Sequence, residues 1–93
     1  MDGMDMLPQV KEAAGLEEAY HVTTFRGYRT TARGRHQQVT VEVLDGGPEM
    51  GLSRFTVKAY GDDDTTATGN AGDTLHAALR HVHWFRLDGR HTP

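Results

Sequence analysis

Two segments, residues 38–43 (QVTVEV) and residues 54–60 (RFTVKAY), decide the fold of this 93-residue chain. In both, apolar side chains alternate with polar ones, which is the period of a β-strand with one buried face. The valines of the first segment are therefore predicted to share a buried face with Phe55 and Val57 of the second. A connection rich in glycine, residues 45–51, separates the segments, so we expect two antiparallel neighbours.

Two further strands are expected, one on each side of this pair. Residues 20–31 are rich in β-branched and aromatic side chains, and Gly27 within them predicts a bulge. A turn at residues 32–35 joins this strand to the next. After another turn, at residues 61–64, residues 65–69 predict a short fourth strand.

A single helix is predicted after the last strand, with Asp73 as its N-cap and its end near Trp84. Its apolar residues recur at helical spacing and form one stripe: Leu75, Ala78, Leu79 and Val82. The stripe covers one face of the sheet, and the other face stays in water, as antiparallel sheets allow. The predicted fold class is α+β: a three- to four-stranded antiparallel meander with one C-terminal amphipathic helix packed on one face.

The charge distribution divides the chain. Residues 1–18 carry five acidic residues against one basic residue and have broken periodicity, so we expect a disordered tail with a helical turn at residues 10–14. An ordered helix packed on the sheet is the alternative. Residues 19–88 are predicted to form a single β-β-β-(β)-α domain, and residues 89–93 a C-terminal tail.

Composition limits the compartment. The absence of cysteine excludes disulfides and thiolate metal sites and suits a reducing compartment. The N-terminus is acidic where a secretory signal needs a basic region, and no apolar run could span a bilayer. We expect a cytoplasmic protein without a membrane partner. The lack of isoleucine, with eight arginines against two lysines, indicates a GC-rich bacterial genome.

The residues of metal and phosphate sites are present without the spacings that such sites need. His81 and His83 would point to opposite sides of a helix. Residues 62–73 approach a calcium loop but have Ala67 where glycine is needed, and residues 69–72 lack the lysine of a P-loop. No nucleophile and base stand out, so we predict no metal, no cofactor and no enzyme activity. A small enzyme remains the third hypothesis.

The middle of the chain is basic: residues 21–60 carry six basic and three acidic residues. The side chains that we expect on or near the exposed sheet face are the candidate binding residues: Arg26, Tyr28, Arg33, Arg35, Arg54, Lys58 and Tyr60. Arginine pairs with phosphate and tyrosine stacks on bases, which predicts a non-enzymatic binding or regulatory module for a nucleic acid or a protein partner. An ordinary solvated face, as Glu42 in its middle indicates, is the alternative. The oligomeric state is left open.

Residues 53–84 end in a helix that opens with GDTLHAAL, residues 72–79. This segment resembles the strand–strand–helix segment of HicB-type antitoxins, in which G-D-[TS]-x-x-x-A-L opens the helix, and also the end of double-stranded-RNA-binding-like domains. The resemblance implies an α+β fold and a regulatory role, and a HicB-like antitoxin or another protein–protein adaptor is the alternative function. The RNA-binding family has a lysine cluster where this chain has residues 73–76 (DTLH), so its RNA-binding residues do not carry over.

Overall fold

The computed structural model describes residues 3–89. Its elements are helix α1 (Gly3–Ala14), strands β1 (His21–Thr30) and β2 (His36–Asp45), a 3₁₀ segment (Pro48–Ser53), strands β3 (Phe55–Gly61) and β4 (Thr66–Thr68), helix α2 (Leu75–His81) and a second 3₁₀ segment (Trp84–Asp88). In this part of the chain no helix is long and apolar enough to cross a membrane.

The four strands form one antiparallel sheet in the order β1-β2-β3-β4. Val43 of β2 lies opposite Thr23 of β1 and Val57 of β3, and both valines are buried as their alternation predicts. This arrangement confirms the predicted fold class, an α+β meander with helical cover on one face.

The core is small and lies toward the β3–β4 side of the sheet. Helix α2 and the segment Trp84–Asp88 contact β3 and β4. The buried apolar residues belong to these elements and to β2: Val39, Val43, Val57, Ala59, Ala67, Ala78, Val82 and Leu87. The cover is concentrated on this side, and Phe25 of β1 remains 58% exposed.

The N-terminal segment differs from its prediction. It is helical over Gly3–Ala14, where the sequence predicts a disordered tail with a single turn. Methionine, leucine, glutamine, lysine, glutamate and alanine favour helix, which accounts for the longer element despite Pro8. The division of the chain into a tail and one domain stays a prediction.

Three local predictions are corrected. Thr74, not Asp73, is the N-cap of α2, because its Oγ1 accepts a hydrogen bond from the Ala77 N–H at 3.1 Å. The helix ends at His81, since Val82 already has an extended backbone with ψ of 134°. Gly27 pairs one-to-one with Val39 in a continuous register, so β1 has no bulge there.

Candidate binding face of the sheet

Side chains on the side of the sheet opposite the core form a surface that we call the open face. It consists of the even-numbered residues of β1, β2 and β3, because side chains alternate along a strand and directly paired residues share a face. Arg26, Thr40 and Tyr60 form one row across the strands, and Thr24, Glu42 and Lys58 form the next. The open face therefore brings together four predicted site residues: Arg26, Tyr28, Lys58 and Tyr60.

An aromatic stack lies at one end of the open face. The rings of Tyr28 and His36 have centroids 5.0 Å apart and planes inclined by 11°. Tyr28 is 66% exposed, so its ring remains accessible to a ligand. Sequence reasoning missed His36, which the hairpin register identifies: Tyr28 lies opposite Gln38, and His36 is its diagonal neighbour.

Tyr60 and Lys58 flank the carboxylate of Glu42. Partial burial, and then the hydrogen bond between Tyr60 and Glu42, raises the pKa of the Tyr60 hydroxyl above its usual value. Lys58 lies directly opposite Glu42 in the register. The centre of the open face thus carries one carboxylate beside its cations, and Tyr60 is held by a neighbour rather than free to swing.

Arg54 does not belong to the open face. Its Nε donates to Asp45 Oδ1 at 2.8 Å and its Nη2 to Asp45 Oδ2 at 3.1 Å, and its guanidinium lies 4.8 Å from the centre of the Phe55 ring. The hydrogen bonds from Arg54 are the main reason that the pKa of Asp45 is lowered. The sequence predicts an outward Arg54 from the alternation of side chains along β3. The strand begins only at Phe55, so this alternation does not extend to Arg54.

Arg35 is bound to the turn between β3 and β4. Its Nη2 lies 2.6 Å from Asp63 Oδ2, and its Nη1 lies 3.3 Å from Asp62 Oδ1. The Gln38 N–H lowers the pKa of Asp62, and the Thr65 hydroxyl lowers that of Asp63. These aspartates, predicted to form a solvated turn, fasten the β1–β2 hairpin to the β3–β4 turn and neutralise Arg35.

The remaining cations determine what the open face can bind. Arg33 lies exposed in the turn between β1 and β2, beyond the end of the face. Within residues 3–89, neither Arg26 nor Lys58 forms an ion pair. Of the seven predicted site residues, Tyr28 therefore remains as one member of the exposed stack with His36, and Arg26 and Lys58 remain as two cations that can meet an anion.

Other candidate sites lie away from this face. In the described part of the chain, no three histidine, aspartate or glutamate side chains are grouped so that they could hold a metal ion. A cavity of about 320 Å³ lies between α1 and the β2–β3 connection, with Leu7, Tyr20 and Met50 in its wall. None of the predicted binding residues lines it.

Comparison of the chain with protein-family models, with curated proteins and with solved structures finds no match. Function is therefore inferred from the geometry of the open face and from the sequence.

Proposed function

We propose that this chain is a non-enzymatic binding module of the bacterial cytoplasm that holds a single-stranded nucleic acid on its open face. The observation that carries the proposal is the exposed Tyr28–His36 stack. Bases of a single strand present their faces to such a platform, whereas the bases of a duplex are already stacked on one another.

The two cations lie where they can contact the backbone of a strand stacked on Tyr28. Arg26 is two residues from Tyr28 on the same strand and face, which is about 7 Å by the rise of a strand. Thr24 is the neighbour of Arg26 on the open face, and Lys58 lies in the same row as Thr24, two strands away. Two strand spacings place Lys58 about 10 Å from Thr24 across the sheet. Base stacking at one end and cations along the face are the two components of sequence-tolerant single-strand binding.

A protein partner is the second candidate, and it corresponds to the masking role that the resemblance to HicB-type antitoxins implies. The observation that favours it is the mixed charge of the open face. Glu42 lies opposite Lys58 and forms a hydrogen bond with Tyr60, and the acidic turn with Asp62 and Asp63 adjoins the same end of the face as the aromatic stack. A phosphate backbone is repelled by these carboxylates, whereas a protein surface can match both signs.

The test is the binding of fluorescent oligothymidine and oligouridine, measured by anisotropy at salt concentrations between about 20 and about 200 mM. Over such a tenfold range the affinity that comes from phosphate contacts falls measurably. Two cations predict a log–log salt slope of about −1.4, and Arg26→Ala should reduce it to about −0.7. Arg80→Ala, which removes an exposed arginine of α2, should leave the slope unchanged.

Stacking is tested separately. Tyr28→Ala should weaken binding about 5- to 150-fold, because base–aromatic stacking contributes about 1–3 kcal/mol. Phe85→Ala is the matched control, since Phe85 is also exposed beside a histidine, His83, but lies outside the sheet. Lack of binding to single strands at the lowest salt overturns the proposal and leaves the protein partner, whose capture should persist at 200 mM salt.

A further inference from the structure

Strand β1 has an unpaired outer edge. The strand order places it at one end of the sheet, and all ten of its residues pair with β2 on the inner side. Residues 21–28 are exposed throughout, and the strand contains no proline. Natural sheets protect such edges with short strands, prolines, bulges or covering elements, because an open edge pairs with further strands. At the other edge, β4 is only three residues long.

The hairpin fixes which backbone groups face outward. The Thr31 N–H donates to the Arg35 carbonyl at 2.8 Å, so odd-numbered residues of β1 direct their N–H and C=O groups toward β2. The outward groups therefore belong to the even-numbered residues, which are Val22, Thr24, Arg26, Tyr28 and Thr30.

We infer that this edge pairs antiparallel with the same edge of a second copy of the chain, so that two sheets join into one of eight strands. A two-fold axis perpendicular to the sheet keeps each face on its own side. Every residue must then pair with one of the same parity, and two registers centre the strands. One places Phe25 on the axis, and the other places Arg26 there.

Side chains select the register with Phe25 on the axis. It sets Phe25 against Phe25 of the second copy, Val22 against Tyr28 and Thr24 against Arg26. The Val22–Tyr28 and Thr24–Arg26 pairs each occur twice by symmetry. These four pairs exchange backbone hydrogen bonds, because their residues direct their N–H and C=O groups outward. The other register opposes the two Arg26 side chains and leaves Phe25 opposite Gly27. Aromatic and aromatic–β-branched pairs stabilise a sheet, and like charges placed opposite destabilise it.

The strand is suited to a second copy in its charge as well. β1 has no acidic residue, and its second arginine, Arg29, is already neutralised by Asp88 at 2.9 Å. In the favoured register Arg26 faces a threonine, and Arg26 of the second copy is only a diagonal neighbour about 7–8 Å away, whereas the other register places the two arginines directly opposite each other. Phe25 adjoins a shallow groove that also contains Leu75 and Phe55. Pairing continues this apolar strip across the axis, which gives the exposed Phe25 ring an apolar neighbour.

The inference is independent of the proposed function, although the joined sheets would place two open faces side by side. Sedimentation of the full chain at increasing concentration tests it. We expect the mass to rise from the monomer value of 10.3 kDa toward twice that value. Because only one strand from each copy is in contact, the dimer should dissociate in the micromolar range.

Two proline variants separate edge pairing from folding. Thr24→Pro removes an outward N–H group inside the region where the two copies pair. Thr30→Pro removes the outward N–H group at the end of β1, where no residue of the second copy's β1 lies opposite. Proline is tolerated at such edge positions, because the lost N–H does not belong to the β1–β2 ladder. Thr24→Pro should give a monomer and Thr30→Pro should still dimerise. If Thr24→Pro unfolds, Phe25→Lys tests the same contact by placing two charges on the axis.

Because the chain contains no cysteine, engineered cysteines report the register. Phe25→Cys should form an intermolecular disulfide on mild oxidation, since cysteines paired on the axis lie within bonding distance. Gly27→Cys should not, because its sulfur would be about 13 Å from its counterpart along the strand. A monomer at all concentrations overturns the inference, as does a dimer that neither Thr24→Pro nor Phe25→Lys weakens.

Discussion

Replacing Gln37 with leucine should destabilise the domain far more than the same change at the neighbouring Gln38. Gln37 is the amide at the start of β2 on the core side, and it is fully buried. Its Nε2 donates to the Leu87 carbonyl at 2.8 Å, and its Oε1 accepts from Arg29 Nη1 at 3.0 Å. These contacts join the first hairpin to the segment Trp84–Asp88, which closes the core.

The magnitude follows from the groups left behind. In Gln37→Leu the buried Leu87 carbonyl loses its side-chain donor, which costs about 1–3 kcal/mol, and the bond from the charged Arg29, worth about 1.5–3 kcal/mol, disappears. Arg29 keeps its ion pair with Asp88, and the new apolar surface offsets about 1 kcal/mol. We expect a net loss of about 1.5–5 kcal/mol, which lowers the melting temperature of a domain this small by about 4–8 °C for each kcal/mol.

Urea unfolding followed by circular dichroism and by the fluorescence of Trp84, the single tryptophan, measures the change. Gln38→Leu is the matched control, because Gln38 lies on the open face, and it should change the free energy of unfolding by less than about 0.5 kcal/mol. Equal unfolding midpoints for the two variants would refute the assignment of Gln37 as the polar link of the core.

Three further outcomes are expected from single substitutions. Thr74→Ala should cost about 0.5–2 kcal/mol because it removes the N-cap of α2, and Asp73→Ala, measured by the same urea unfolding, should cost less. Leu87→Ala should cost about 2–5 kcal/mol and exceed Leu79→Ala, because Leu87 is 1% exposed whereas Leu79 is only half-buried; equal melting temperatures would contradict this. The folded-state pKa of Asp45 is lowered, so its ion pair stabilises the protein above the usual value of 3.8 and is lost as pH falls below it; Asp45→Asn should therefore flatten the acid limb of stability against pH.

Short-range patterns predicted the sheet well. The period of two in β2 and β3, with glycine-containing turns at their ends, set the parity of each strand, and parity alone places Tyr28 and Lys58 on the same face. The prediction weakened at element ends. Arg54 precedes β3, so its side chain follows the loop to Asp45, and the cap of α2 falls one residue beyond the aspartate that the sequence favours.

Contacts between residues distant in sequence were not predictable. Arg35 meets Asp62 and Asp63 only because β2 of the first hairpin pairs with β3 of the second, and composition alone left Arg35 as a binding cation. Gln37 appears as one of two adjacent glutamines, and only the position of Leu87, 50 residues away, explains its burial. His36 became part of the candidate site only when the pairing of β1 with β2 was known. That pairing is continuous at Gly27, where the sequence predicts a bulge.

Binding of single strands to the open face can be followed residue by residue in a nitrogen–proton correlation spectrum of the labelled chain titrated with oligothymidine at low salt. The backbone amide signals of Tyr28, His36, Arg26 and Lys58 should shift together and saturate with one affinity, because these residues share one surface. Signals of the cavity residues Leu7 and Met50 should stay in place. Shifts confined to that cavity, or an unchanged spectrum at saturating oligonucleotide, would contradict the proposed binding.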